Sequence, residues 1–130
     1  MATSEQRMVP RPLTPRETSV LVVLITRGAS LIEGEVITGQ DRARWLEKVP
    51  GTRAGRSCGC GTCPSIGLTH VDSTQPDVED SHMALEVGTP GAMVLLHIDS
   101  GDRLVELELA PMDTETFSEF PDPKGFQYYT

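Results

Sequence analysis

Apolar and polar residues alternate through much of the second half of the chain. Such a period of two places alternate side chains on one face of a β-strand. Strands are predicted over 66–71, over 83–87, over 92–99 and over 102–109. Strands joined by short turns favour an antiparallel sheet.

The last two strands form the clearest predicted hairpin. Residues 100–101 are Ser-Gly, and glycine supplies the positive φ that a tight turn demands. This turn pairs Val94 with Leu107 and Leu96 with Val105. The prediction is that these four side chains line the core.

A capping box marks the start of a helix near the beginning of the chain. Thr14 is the predicted N-cap, Pro15 is the first helical residue, and Glu17 completes the box. The apolar run 20–25 continues without a polar face, and Gly28 offers a stop. The sequence therefore predicts a central, largely buried helix. A strand is the alternative, because the run is rich in valine.

A second helix and an arm complete the predicted organisation. Residues 40–48 place Trp45 and Leu46 on an inner side and charged residues outside. Residues 1–12 are polar and contain two prolines, which predicts a flexible N-terminal arm. The length of 130 residues fits one domain. We expect a single α+β domain over 13–130, with one or two N-terminal helices packed on a small, mainly antiparallel sheet.

The charge of the chain is divided unevenly between its halves. The net charge is −8, but residues 1–63 hold nine Lys and Arg against six Asp and Glu, a net of +3, and residues 64–130 hold two against thirteen, a net of −11. Binding to a phosphate backbone needs clustered positive charge, so nucleic acid is not an expected partner. The acidic half would suit a basic protein partner, or the two halves attract each other within the fold.

The apolar content and the cysteines bear on the cellular compartment. The chain has no run of about 20 apolar residues that could span a bilayer, and no apolar signal-peptide run at its start. Its three cysteines fall within six residues, which excludes a distributed disulfide framework and indicates reduced thiols. We therefore expect a cytoplasmic protein without membrane contact.

The cysteine cluster is the sharpest candidate for chemistry. Its glycines allow the backbone to curl, so that the three sulfurs could converge on one zinc ion. A closed structural site needs a fourth ligand, for which we take His70, with Asp72 and His82 as alternatives. The predicted metal ligands are Cys58, Cys60, Cys63 and His70.

Two other interpretations of this cluster stay open. One is a glycine-rich loop whose cysteines act as small apolar residues. The other makes one cysteine a nucleophile or redox sensor, with Arg53 and Arg56 lowering its pKa and His70 as a base.

The predicted hairpin also carries a histidine among acidic residues. His97 shares a strand face with Glu106 and Glu108. The interpretation from the sequence is an ordinary strand histidine with acidic neighbours. The two glutamates are interpreted as a solvated edge rather than an acid–base pair.

Two resemblances cover parts of the chain. Over 13–28, the residues Leu13-Thr14-Pro15-Arg16-Glu17, Val20-Leu21 and Gly28 resemble the opening of a LuxR-type helix-turn-helix domain, which implies DNA binding. A broader set of short motifs consists of Leu13–Glu17, Gln40, Cys58-Gly59-Cys60, Pro64-Ser65-Ile66 and Leu104–Glu108. Through these motifs the chain loosely resembles a set of small uncharacterised proteins of actinobacteria and their phages, which implies no activity.

The predicted function follows from the size, the charge and the lack of a catalytic signature. We expect a non-enzymatic interaction or regulatory protein with a protein partner of unknown identity, stabilised by a metal at the cysteine cluster. One alternative is a metal- or thiol-dependent enzyme centred on Cys58, Cys60 and Cys63. A second alternative is a DNA-binding regulator. The sequence does not indicate an oligomeric state.

Overall fold

The chain combines two α-helices with one seven-stranded antiparallel sheet across its described residues, which confirms the predicted α+β class. The computed structural model describes residues 10–32, 34–57, 64–70, 81–112 and 116–128. Most of the predicted N-terminal arm, residues 1–9, lies outside these ranges. Arg11 and Pro12, at the end of that arm, pair with a strand of the sheet.

The elements alternate between helix and strand only in the first half of the chain. Helix α1 spans Pro15–Arg27 and helix α2 spans Gly39–Leu46. The strands are β1 (Arg11–Pro12), β2 (Ala29–Ser30), β3 (Thr52–Ser57), β4 (Ile66–His70), β5 (Ser81–Thr89), β6 (Ala92–Asp99) and β7 (Leu104–Pro111). Short 3-10 helices lie at Val49–Gly51 and Pro123–Gly125. In the described ranges, neither α-helix is long and apolar enough to cross a membrane.

The strands follow the order β1-β3-β4-β7-β6-β5-β2 across the sheet, and neighbouring strands run antiparallel. The long strands β5, β6 and β7 lie side by side, and each edge strand has only two residues. Short edge strands limit pairing with another chain. The longest continuous strand pairing lies in the β5–β6–β7 unit.

Helix α1 begins at the predicted capping box. The Thr14 hydroxyl accepts a hydrogen bond from the Glu17 N–H at 3.1 Å, and the Glu17 carboxylate accepts one from the Thr14 N–H at 2.8 Å. The helix is therefore confirmed and the strand alternative is wrong. Of the six apolar residues 20–25, Val22 and Val23 are half-buried and the other four are buried. Helix α1 thus packs against the core through one side only, whereas the sequence predicted a helix with apolar, buried residues on every side.

Helix α2 connects the N-terminal half of the chain to the β6–β7 turn. Trp45 is buried, and its indole N–H donates to the Asp102 carboxylate at 3.0 Å. Arg44 forms an ion pair with the same carboxylate at 3.3 Å, which joins the two oppositely charged halves. Arg42 donates to two backbone carbonyls at the C-terminal end of α1. Arg42 and Arg44, which belong to the positively charged half 1–63, therefore make contacts inside the fold.

The core lies between α1 and one face of the sheet, which we call the inner face. Alternate residues of β5, β6 and β7 point into it and meet the buried side of α1. The C-terminal segment closes the core with Phe120 and Phe126, and Arg16 of α1 donates to the Phe120 carbonyl at 2.9 Å. The fully buried side chains include Phe120, Leu21, Leu24, Ile25, Leu68, Leu85, Leu96, Ile98, Leu107 and Leu109.

The β6–β7 hairpin has the predicted faces but a different register. Val94 pairs with Leu109 and Leu96 with Leu107, so the predicted register was wrong by two residues. A shift of two keeps every side chain on its own face, because the strand period is two. The four predicted core residues, which include Val105, are accordingly all fully buried.

The turn between β6 and β7 explains the shift. The Asp99 carboxylate accepts hydrogen bonds from the backbone N–H groups of Gly101 and Arg103, and it pairs with the Arg103 side chain at 2.7 Å. Asp102 adopts a φ of 64° in the left-handed region. Such side-chain bonds to the backbone stabilise a longer turn than the Ser-Gly pair alone.

Candidate metal centre

The outer face of the sheet, which points away from α1, carries the candidate site. In the observed register His97 of β6 pairs directly with Glu106 of β7, and Leu95 pairs with Glu108. Side chains alternate between the two faces along each strand. The histidine and both carboxylates therefore stand on the same side of two hydrogen-bonded strands. We call His97, Glu106 and Glu108 the histidine–glutamate cluster.

The His97 Nε2 atom lies close to both carboxylates. It is 2.7 Å from Glu108 Oε1 and 3.9 Å from Glu106 Oε1. One ligand atom from each of the three residues can be chosen so that all lie within 4.8 Å of one another. The side chains are 19%, 23% and 36% exposed for His97, Glu106 and Glu108. The cluster is thus half-buried and still open to a small solute.

The three groups change one another's protonation. The hydrogen bond with Glu108 raises the pKa of His97 above its ordinary value, against the opposing effect of burial, and it lowers the pKa of Glu108. Burial, followed by the charge of Glu108, raises the pKa of Glu106. Within the described residues, the Glu106 carboxylate has no hydrogen-bond partner. The Glu108 carboxylate is therefore paired with His97. The surroundings of the Glu106 carboxylate disfavour its ionised form.

On the two neighbouring strands, the residues that pair with Glu106 and His97 are small. Gly67 of β4 pairs with Glu106, and Ala84 of β5 pairs with His97. Neither residue has a side-chain atom beyond Cβ. At these two pairs β4 and β5 therefore add no long side chain beside the cluster, although Gly67 and Ala84 are themselves buried.

Two further charged residues lie beside the cluster. Glu86 of β5 pairs with Leu95, and burial raises the pKa of its carboxyl. Arg56 of β3 is exposed, and its positive charge acts on Glu106 to lower the pKa of that carboxyl. The outer face is thus acidic on the β5 side and carries a positive charge on the β3 side.

An imidazole nitrogen and two carboxylate oxygens are ligands that divalent transition-metal ions take in proteins. Their positions on two adjacent, hydrogen-bonded strands set the separations of their Cβ atoms. Three protein ligands from one side leave coordination positions open on the other side, as in sites that also bind water or a further ligand. The arrangement can therefore hold a metal ion without closing it off.

The predicted cysteine site lies outside the described residues. The residues concerned are Cys58, Cys60, Cys63 and the alternative ligand Asp72. His70 lies at the end of β4, where its ring packs so closely over Gly51 that an added Cβ there would overlap it. His82 is exposed near the start of β5. Zinc binding by the cysteine cluster stays a prediction.

The sequence placed the three residues of the histidine–glutamate cluster on one face, with the glutamates as neighbours of His97, but it did not predict the direct pairing of His97 with Glu106. In the predicted register His97 stands opposite Leu104, so Glu106 lies two residues further along β7, a displacement of about 6.6 Å. The observed register removes that displacement. The available signal was the shared face of three ligand-type residues on consecutive strands.

The chain matches no protein-family model, no curated protein and no solved structure. The candidate site therefore rests on its own geometry. The resemblances to a LuxR-type domain and to small actinobacterial and phage proteins stay predictions.

Proposed function

We propose that this protein is a metal-binding protein, and that His97, Glu106 and Glu108 hold one divalent transition-metal ion on the outer face of the sheet. The observation that carries the proposal is the approach of three ligand atoms to within 4.8 Å. The role is that of a non-enzymatic interaction or regulatory protein whose ligand is the ion. We place this role in the cytoplasm, where clustered thiols such as those of this chain remain reduced.

The donor set favours zinc, cobalt, iron or manganese over calcium and magnesium. Calcium takes six to eight oxygen ligands, and magnesium takes oxygen ligands that include several waters, whereas imidazole suits transition metals. A tetrahedral ion with ligands at about 2.0–2.1 Å holds them about 3.4 Å apart. The 2.7 Å contact from His97 to Glu108 would open and the 3.9 Å contact to Glu106 would close. Both changes are within reach of side-chain rotation.

The test must separate this site from the cysteines, because thiolates also bind zinc and cobalt. The background is therefore a chain with Cys58→Ser, Cys60→Ser and Cys63→Ser. Titration of this metal-free chain with Co²⁺, followed by visible absorption and calorimetry, should give about one ion per chain. His97→Ala should abolish binding.

Two matched variants serve as controls for this titration. His82→Ala removes an exposed histidine outside the cluster, and Glu86→Gln removes a carboxylate from the same face without removing a proposed ligand. Both should bind cobalt as the background chain does. A background chain that binds no cobalt, or cobalt binding that survives His97→Ala, would refute the proposal.

Protein–protein interaction is a second candidate function, favoured by exposed apolar side chains between β2 and α2. Leu31, Ile32 and Val36 are 49%, 48% and 79% exposed, and exposed apolar patches are typical of interaction sites. A chain with Ile32→Ser and Val36→Ser should lose a stoichiometric partner that the native chain retains during purification. The His97→Ala chain should keep that partner. Equal recovery by all three chains would contradict an interface at this segment.

A further inference from the structure

We infer that a cavity between β1, α1 and the start of β3 binds a small organic monocarboxylate, and that Arg53 selects the charge of this ligand. The cavity has a volume of about 270 Å³. Its described lining shares no residue with the histidine–glutamate cluster. The inference therefore stands apart from metal binding.

Most residues around the cavity are apolar. Four of its seven described lining residues are Pro12, Leu13, Val49 and Pro50. Sites for small molecules are lined mainly by apolar groups, with a few polar groups that fix the orientation of the ligand. An apolar cavity of about 150 Å³ accommodates a benzene ring. The larger volume here therefore has room for an apolar body of that size together with a carboxylate.

Two sets of contacts hold the walls of the cavity in place. Arg11 of β1 binds the Glu17 carboxylate of α1 through two hydrogen bonds of 2.9 Å. The Thr52 hydroxyl, at the start of β3, donates to the Lys48 carbonyl at 2.6 Å, which joins β3 to the 3-10 helix Val49–Gly51. The cavity is therefore formed before a ligand enters, and a formed site avoids the cost of ordering it on binding.

The charge at the cavity comes from Arg53, the only charged residue in its described lining. Within the part of the chain that the structure describes, neither the Arg53 guanidinium nor the hydroxyl of the lining residue Thr18 has a hydrogen bond or an ion pair. Glu17, next to Thr18 in α1, is already paired with Arg11. An anion therefore meets one positive charge that no described carboxylate neutralises.

The balance between charge and apolar surface decides the class of ligand. An inorganic anion such as phosphate would place polar oxygens against the apolar residues of the wall, which costs free energy. A neutral apolar molecule would make no use of the Arg53 charge. Arginine binds carboxylates through two parallel hydrogen bonds. A monocarboxylate would therefore bind with its carboxylate at Arg53 and its apolar body against the remaining wall.

The experiment uses the full chain, freed of metal by dialysis against a chelator, and NMR of its backbone amides. The probe is benzoate, and benzyl alcohol is its uncharged counterpart of similar shape. Benzoate should shift the amide signals of Leu13, Thr18 and Val49 in a saturable manner, and it should bind about tenfold more tightly than benzyl alcohol. Arg53→Ala should weaken benzoate binding by about tenfold and leave benzyl alcohol binding unchanged. Arg56→Ala, on the same strand and outside the described lining, is the matched control and should bind benzoate as the native chain does.

The amide spectrum also shows whether each variant keeps the native fold, and Arg53→Gln replaces Arg53→Ala if the alanine variant unfolds. The absence of a saturable shift at the lining amides overturns the inference. Equal affinity for benzoate and benzyl alcohol overturns it as well, and so does undiminished benzoate binding by a folded Arg53 variant. These outcomes leave the cobalt titration of the histidine–glutamate cluster untouched, so the two proposals fail separately.

Discussion

Replacement of His97 by alanine should destabilise the metal-free protein more in mildly acidic solution than in alkaline solution. The pKa of His97 is raised above its ordinary value of 6.5 by its hydrogen bond with Glu108. A group whose pKa rises on folding stabilises the fold below its unfolded pKa, and this contribution disappears as the pH rises through the folded pKa. The His97→Ala variant therefore loses a pH-dependent contribution that the native chain has only when His97 is charged.

The magnitude follows from the geometry of the pair. A hydrogen bond to a charged group contributes about 1.5–3 kcal/mol when it is shielded from water. The Glu108 side chain is 36% exposed, and solvent screening reduces the contribution to about 1 kcal/mol. Glu108 has a lowered pKa, so its part of the pair is present above the ordinary value of 4.5 and is lost as the pH falls through the folded pKa. The ion pair between His97 and Glu108 therefore stabilises the fold fully between the ordinary pKa of Glu108, 4.5, and the ordinary pKa of His97, 6.5.

The assay is urea denaturation of the native and His97→Ala chains, with a chelator present, at about pH 5.5 and about pH 9. The loss of unfolding free energy should be about 1 kcal/mol larger at the lower pH. His82→Ala, which removes an exposed histidine, should show no such difference. An equal loss at both pH values would refute the charged pair and with it the arrangement of the site.

Three further changes test the structure at other points. Thr14→Ala removes the N-cap of α1 and should lower the unfolding free energy by about 1 kcal/mol in urea denaturation. Gly51→Ala should reduce thermal stability because the new Cβ overlaps the His70 ring, whereas Gly39→Ala, which has open space around it, should not reduce it in the same way. Glu106→Gln should raise the stability of the metal-free chain at neutral pH, since the raised pKa of Glu106 means that its charge opposes folding, and should weaken cobalt binding in the same preparation. A stable Glu106→Gln chain with unchanged cobalt affinity would exclude Glu106 as a ligand.

Local signals allowed the first helix to be predicted in detail. The Thr14, Pro15 and Glu17 pattern acts within one turn, so its hydrogen bonds form wherever the helix packs. What the sequence could not provide was the side of α1 that faces the sheet. Val22 and Val23 are as apolar as their buried neighbours, and only the position of the sheet decides that they remain half-buried.

For the strands, the sequence predicted the faces correctly but not the register. Alternation decides which residues share a face, and Val94, Leu96, Val105 and Leu107 are buried as predicted. Alternation does not decide register, because a shift of two residues leaves every face unchanged. The register depends on the Asp99 carboxylate in the turn, and the cluster depends on the register. An error of two residues in the register therefore leaves the predicted core correct. The same error prevents the prediction of a site whose residues lie on two strands.

The energetic cost of the Glu106 charge suits a binding role for the histidine–glutamate cluster. A sheet selected for stability alone gains nothing from a half-buried carboxylate beside a second one, since burial and the Glu108 charge both disfavour its anion. Its neighbour His97 already has a hydrogen-bonded partner in Glu108 and stands 3.9 Å away. Positions that depart from local stability rules are expected where a chain binds something. A cation placed among the three groups would remove the penalty on Glu106, which is why we expect its replacement by glutamine to stabilise the free protein and to impair the bound one.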